Sequence, residues 1–283
     1  MLLGVDTLSY HCRLVAGEIS LEEVLDEVAG LGGEFVQLNA VHLRGASDAR
    51  VEELRQRAGA LGLGLTLSGD VVGRARDQEP PEEGARRVQG WLDLARRLGS
   101  PFARVSSGFY RNELAGDEAA VRAELAYVVD ALRLAAAEAP EGVQVLLENH
   151  SDFTPGEHLE IVESVGPERV GVFLDLINPV SLLLDPLPVV TELAPLAVAG
   201  HAKDYRVVSS YVEDGFHRRG FEVQWCYPGE GVADLPALVA ALPRATAAPY
   251  HLSIEGLDNR AGVADQAERL GASLGLLRKL AAA

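Results

Sequence analysis

Lysine is nearly absent from this chain. Among its 25 basic residues only Lys203 and Lys279 are lysines, so arginine carries the positive charge almost everywhere. Positive charge is itself scarce: 42 acidic residues leave a net charge of −17 over 283 residues. Such a field repels polyanions at long range, which excludes nucleic acid as a partner. Cysteine is equally thin. Cys12 and Cys226 lie far apart with no secretory leader pattern before them, so the expectation is a cytoplasmic protein without structural disulfides. No apolar run approaches the roughly 20 residues that a membrane span requires, because glycine, proline or charge interrupts each one. A Gly-rich dinucleotide fingerprint is also missing, since the first strand runs into Asp6-Thr-Leu-Ser-Tyr.

What the chain does have is a set of short apolar runs ending in metal-binding residues. Val143–Leu147 ends in Glu148, Val170–Leu174 in Asp175, Leu196–Gly200 in His201 and Tyr250–Ile254 in Glu255. Runs of this length, bounded by polar residues, read as strands buried on both faces. In a barrel of parallel strands the C-terminal strand ends carry the active site.

The remaining chain alternates in the same way. Strands are expected at Leu2–Asp6, Phe35–Asn39, Leu63–Leu67 and Phe102–Ser106. Helices are expected over 20–31, 47–61, 80–98, 117–139, 155–165, 186–193, 234–242 and 262–280. Ser20-Leu-Glu-Glu opens one as a capping box, Pro80-Pro81 opens another, and Gly62 and Gly99 stand where helices stop. Eight strands alternating with eight helices predict one (β/α)8 barrel domain, with an open doubly wound sheet as the weaker alternative. One insertion breaks the pattern, at 205–230. Within it Val207–Glu213 and Phe216–Trp225 flank Asp214-Gly215, which predicts a β-hairpin over the barrel mouth.

Three carboxylates and an imidazole form an oxygen-rich donor set. It suits one divalent ion, Mn2+ ahead of Mg2+, Co2+ or Zn2+, and excludes thiolate-seeking metals. A Lewis acid there acidifies the C–H beside a carbonyl, and Glu148 and Glu255 are the candidate proton carriers. Taken singly, each acid reads better as a helix cap or an arginine partner; it is the convergence of four strand ends that points to a site. Lys203 shares strand parity with His201, which puts an ammonium near the ligands or into a rim salt bridge. His150 stands in the same relation to Glu148 and could meet a substrate hydroxyl. The basic, aromatic segment Phe216-His-Arg-Arg-Gly-Phe offers Arg218 and Arg219 to an anionic substrate or to a neighbouring subunit. Ser106–Tyr110 reads as a polar loop. His11, His42, His158 and His217 receive no role.

The stretches Leu147-Glu-Asn-His150, Phe173-Leu-Asp175, Gly200-His-Ala-Lys-Asp204, Pro228-Gly-Glu-Gly231 and Ser253-Ile-Glu255 resemble, as a set, the xylose-isomerase-like barrels. That superfamily holds sugar isomerases and epimerases, inosose dehydratases and the apurinic endonuclease IV family. The resemblance implies metal ligation by Glu148, Asp175, His201 and Glu255, with the first and last also the acid–base pair. Ketose 3-epimerases have a histidine three residues beyond the metal aspartate, where this chain has Asn178. Asn178 therefore joins His150, Lys203, Arg218 and Arg219 in the expected substrate-binding set. The His-x-Lys-Asp form is similar to that of inosose dehydratases and of unassigned sugar-phosphate isomerases. The endonuclease branch uses more histidines and a DNA-binding face that this acidic chain lacks. The function implied is a metal-dependent isomerase or epimerase of a free or phosphorylated sugar. A dehydratase of a cyclic keto-polyol is the second reading and a non-catalytic binding barrel the third, with homo-oligomerisation left open.

Overall fold

A computed structural model describes residues 1–211, 215, 217–243, 248–256 and 265–283, with the side chain of Arg218 outside that description. β1 (Leu2–Asp6), β2 (Phe35–Asn39), β3 (Gly64–Val71), β4 (Phe102–Ser106), β5 (Gln144–Glu148), β6 (Val170–Asp175) and β7 (Ala197–Ala202) follow one another around a parallel ring. After β7, β8 (Asp204–Tyr211) and β9 (Arg218–Cys226) pair antiparallel with each other. β10 (His251–Ile254) then closes the barrel between β7 and β1. The helices are α1 (His11–Val15), α2 (Leu21–Gly30), α3 (Asp48–Ala60), α4 (Pro81–Leu98), α5 (Glu118–Ala137), α6 (Pro155–Val165), α7 (Pro186–Leu193), α8 (Leu235–Ala240) and α9 (Gln266–Ala282). None of them is long and apolar enough to cross a membrane.

The (β/α)8 barrel is the expected one, with a hairpin after its seventh strand. Ser20 caps α2 through a reciprocal bond with Glu23, and Thr154 caps α6 the same way with Glu157. Two features depart from the sequence reading. α1 is an extra short helix, and β3 runs four residues past Leu67 because a bulge between Ser68 and Val71 keeps it paired to β4. Asp214 and Phe216, at the expected hairpin turn, lie outside the described residues.

Strand parity separates two cores. Val5, Leu38, Leu67, Val105, Leu147 and Leu174 join the large layer between strands and helices. Phe102, Leu146, Phe173 and Ala199 form a separate cluster inside the barrel. Along β4 to β7, two residues beyond each of these interior positions stand Arg104, Glu148, Asp175 and His201. Alternation therefore stacks the charged layer directly on the apolar one.

His158 of α6 is wholly buried, and its Nε2 lies 3.1 Å from the carbonyl of Leu147, whose neighbour is Glu148. Burial holds this imidazole down to about 4 from an ordinary 6.5. Between those pH values the unfolded chain takes a proton that the fold refuses, so stability is lost as pH falls through this window. We expect a loss of up to about 3 kcal/mol between pH 7 and pH 4. Urea unfolding of wild type and His158→Gln at both pH values isolates the contribution. Equal acid losses in the two proteins would remove His158 as its source.

Candidate active site

β5 and β6 end on Glu148 and Asp175, His201 is the penultimate residue of β7, and Glu255 follows β10. All four are buried. Each carboxylate has one oxygen tied and the other directed at the imidazole. Asp175 Oδ1 accepts the backbone N–H groups of Ile177 and Asn178, both at 2.8 Å, leaving Oδ2 for the site. Glu148 Oε2 accepts from Arg104 Nη2, and Glu255 Oε2 accepts from Lys203 Nζ at 2.7 Å. The other oxygens converge on His201 Nδ1, with Glu148 Oε1 at 3.3 Å, Glu255 Oε1 at 3.6 Å and Asp175 Oδ2 at 3.7 Å. Asn149 locks this arrangement by accepting from the Asp175 N–H at 2.6 Å and donating to the Asp175 carbonyl at 2.9 Å.

Asp6 completes the ring at the end of β1. Its Oδ1 accepts from Leu8 N at 2.7 Å, and its Oδ2 lies 3.3 Å from His201 Nε2. A carboxylate facing Nε2 holds a proton on that nitrogen, so an ion that displaced the Nδ1 proton would meet the Nδ1 lone pair beside the other three acids. The edge of the His201 ring also meets Phe173, with centroids 4.6 Å apart, so the site has an apolar floor.

Four buried carboxylates face two fixed cations, Arg104 and Lys203, a net of −2 with the imidazole neutral. That is the charge one divalent ion would balance. Burial would raise the Glu148 carboxyl, yet Arg104 and then His201 hold it well below the usual carboxylate range. Burial would likewise discharge Lys203, but Asp175, Glu255 and Glu148 more than offset it and keep the ammonium charged. For His201 the same contest is won by Glu255, Asp175, Asp6 and Glu148, which raise it well above 6.5. Glu148 Oε1, Asp175 Oδ2 and both His201 nitrogens have no hydrogen bond among the described residues, although Lys203 Nζ is in ion-pair contact with Asp175 Oδ2 at 2.9 Å. Buried ligand atoms of this kind, facing one another in a negative pocket, fit a divalent cation. The ligand atoms of Glu148, Asp175 and His201 all lie within 4.8 Å of one another, as do those of Asp6, His201 and Glu255.

Beside this cluster opens a cleft of about 330 Å³, small-molecule size. Its lining includes His11, Asn39, Arg44, Arg104, Tyr110 and His150. His150 thus faces the cleft, with its ring 5.4 Å from that of Tyr110. Lys203 sits among the acids under Trp225, 5.4 Å from the indole ring. Asn178 is engaged elsewhere: its amide donates to the Asn149 carbonyl at 3.2 Å, and it is not in the cleft lining. Arg219 is exposed on the hairpin and likewise outside that lining. The hairpin's base is held by Asp204, whose carboxylate accepts from the N–H groups of Gly229, Gly231 and Ala233. A side chain at Gly231 would come within 2.2 Å of Asp204, so only glycine fits that turn.

The model of xylose isomerase-like TIM barrels matches residues 25–280. The chain belongs to this family. No curated protein matches it by sequence. Among solved structures it is similar to D-psicose 3-epimerase with D-tagatose from Clostridium cellulolyticum H10, at 15% identity and TM-score 0.72, with 99% of each chain covered. It is also similar to the probable 3-DHS dehydratase involved in petrobactin synthesis from Bacillus anthracis, at 16% identity and TM-score 0.69, covering 98% of this chain and 99% of that one. A third likeness is to a xylose isomerase-like barrel protein from Mycobacterium smegmatis in complex with magnesium, at 19% identity and TM-score 0.66, with 99% and 97% covered. An epimerase, a probable dehydratase and a magnesium-bound barrel thus share this fold.

Asp6 and Arg104 escaped the sequence reading. Both left a trace there: Asp6 ends the first strand, and Arg104 interrupts an otherwise apolar strand. Parity with Phe102 turns Arg104 inward. Of Ser106–Tyr110, read as a plain loop, Ser106, Gly108, Phe109 and Tyr110 line the cleft.

Proposed function

We propose that this protein is a divalent-metal-dependent isomerase or epimerase of a small sugar or sugar phosphate, acting by proton transfer beside a carbonyl. The observation that carries this reading is the convergence of one oxygen each from Glu148, Asp175 and Glu255 on His201 Nδ1. Glu148, Asp175, His201 and Glu255 would hold one ion, Mn2+ before Mg2+, Co2+ or Zn2+, which when bound polarises a substrate carbonyl. Glu148 and Glu255, on opposite arcs of the ring, address the substrate carbon from two sides: one takes a proton and the other returns it. Arg104 orients Glu148, and Lys203 orients Glu255. The apolar layer at Phe173 keeps water from below, and His150 and Tyr110 stand at the cleft where substrate hydroxyls enter.

A second reading, a dehydratase of a cyclic keto-polyol, is supported by the fold shared with the probable 3-DHS dehydratase. Arg104 and His201 hold Glu148 down, and Lys203 and His201 hold Glu255 down, each against the opposing effect of burial. Loss of a β-hydroxyl would then call on His150 as the acid.

Two measurements test the proposal. Elemental analysis should find about one divalent ion per chain, with most of it lost in Asp175→Asn and His201→Ala; full occupancy in both variants would show the ligand set to be wrong. Turnover of D-fructose and related ketoses in heavy water separates the readings. An epimerase places deuterium on the carbon beside the carbonyl. A dehydratase offered a cyclic keto-polyol yields an ultraviolet-absorbing enone or its tautomer, and absence of both products from a panel of ketoses and keto-polyols would dismiss both readings.

A further inference from the structure

On the β1–β2 side of the cleft, three residues without a role in the chemistry above form a continuous chain of hydrogen bonds. Thr7 is fully buried, and its Oγ1 lies 2.9 Å from His42 Nδ1. The same oxygen accepts the backbone N–H of Asn39 at 2.9 Å. His42 Nε2 lies 3.1 Å from His11 Nδ1, with the two rings 5.3 Å apart and inclined at 43°. His11 lines the cleft, and its Nε2 has no partner among the described residues. Burial lowers the proton affinity of His42, so at neutral pH its ring is neutral, with one donor and one acceptor nitrogen.

Counting protons along the chain gives it a direction. The Thr7 hydroxyl has one hydrogen, and His42 Nδ1 is its sole acceptor among the described residues. A buried hydroxyl without an acceptor is costly, which makes Thr7 the donor and His42 Nδ1 the acceptor. The His42 proton then sits on Nε2 and is donated to His11 Nδ1. A neutral His11 must carry its own proton on Nε2, the nitrogen that remains for the cleft.

We propose that Thr7, His42 and His11 form a relay that fixes His11 as an Nε2–H donor to a hydroxyl oxygen of a polyol substrate. His11 is the specificity-determining contact, and His42 and Thr7 position it. A neutral N–H suits a hydroxyl, whereas an anionic group in the same cleft would be taken by Arg44 or Arg104. The identity of what fills the cleft rests on the proposed function; the relay itself does not.

The test is long-range 1H–15N correlation of the histidine side chains in the full-length protein at neutral pH, with His11→Gln and His42→Gln used for assignment. Both rings should be Nε2–H tautomers in wild type. Thr7→Val keeps the shape and removes the hydroxyl, and it should leave His42 and His11 as mixtures. A wild-type His42 protonated on Nδ1, or tautomers unchanged by Thr7→Val, overturns the relay, and the wild-type spectrum decides even if Thr7→Val misfolds. Titration with D-fructose should shift the His11 Nε2 resonance saturably. A His11 resonance that stays in place, whatever other cleft residues do, overturns the hydroxyl contact. The tautomers are read in the free protein, so a protein that turns over no ketose leaves the relay standing, and an active protein with the wrong tautomers refutes the relay alone.

Discussion

Glu148→Gln and Glu255→Gln are each expected to lower turnover by roughly 10²–10⁴-fold, the usual contribution of a positioned acid or base. The amide keeps the shape and most of the hydrogen bonding but cannot carry the proton. Glutamine at 148 still presents an oxygen to Arg104, so the pairing at Oε2 survives in part. Both residues are also proposed ligands, and metal content must be measured in the same samples. At equal occupancy, an epimerase with Glu255→Gln should still exchange the substrate hydrogen with heavy water if Glu148 does the abstraction. Wild-type rates in metal-replete variants would show that neither carboxylate carries the proton.

Lys203→Met is expected to destabilise the metal-free protein by about 3–5 kcal/mol, because it strands two buried carboxylates that shared one ammonium. Those carboxylates are Asp175 at 2.9 Å and Glu255 at 2.7 Å. Added divalent ion should recover much of the loss, since it would supply the missing charge. Chemical unfolding with chelator and with Mn2+, on wild type and variant, measures both effects. Equal losses under the two conditions would mean that Lys203 acts through packing against Trp225 and not through charge. In the double variant with Glu255→Gln the two costs should fall short of adding, because each removes the partner of the other.

The barrel was legible because its strands are short apolar runs with a repeating punctuation, and Phe35–Asn39, Phe102–Ser106 and Val170–Asp175 appear at the expected bounds. Glu148, Asp175, His201 and Glu255 were legible for the same reason, since a polar residue at the end of such a run stands out. Asp6 was hidden because its neighbours read equally well as a loop start. Arg104 was hidden because one charged residue inside a strand carries no partner in the sequence; Glu148 is 44 positions away. The Thr7–His42–His11 chain was beyond reach altogether, as it joins β1 to the turn after β2 through contacts that only barrel closure creates. Lys203 was placed near the ligands by parity, but whether it would meet solvent or acids depended on the roof that Trp225 supplies.

The tying of one oxygen on each acid has a consequence for ion selectivity. A carboxylate anchored through one atom can offer only the other, so Glu148, Asp175 and Glu255 are restricted to single-atom ligation. Calcium gathers six to eight oxygens and commonly grips carboxylates by both atoms at once. With three such acids and one nitrogen, an ion held as proposed would, if large, be starved of contacts, and a smaller octahedral one would keep vacant positions. Discrimination against calcium would therefore reside in Arg104, Lys203 and the backbone N–H groups of Ile177 and Asn178, none of which would touch the ion.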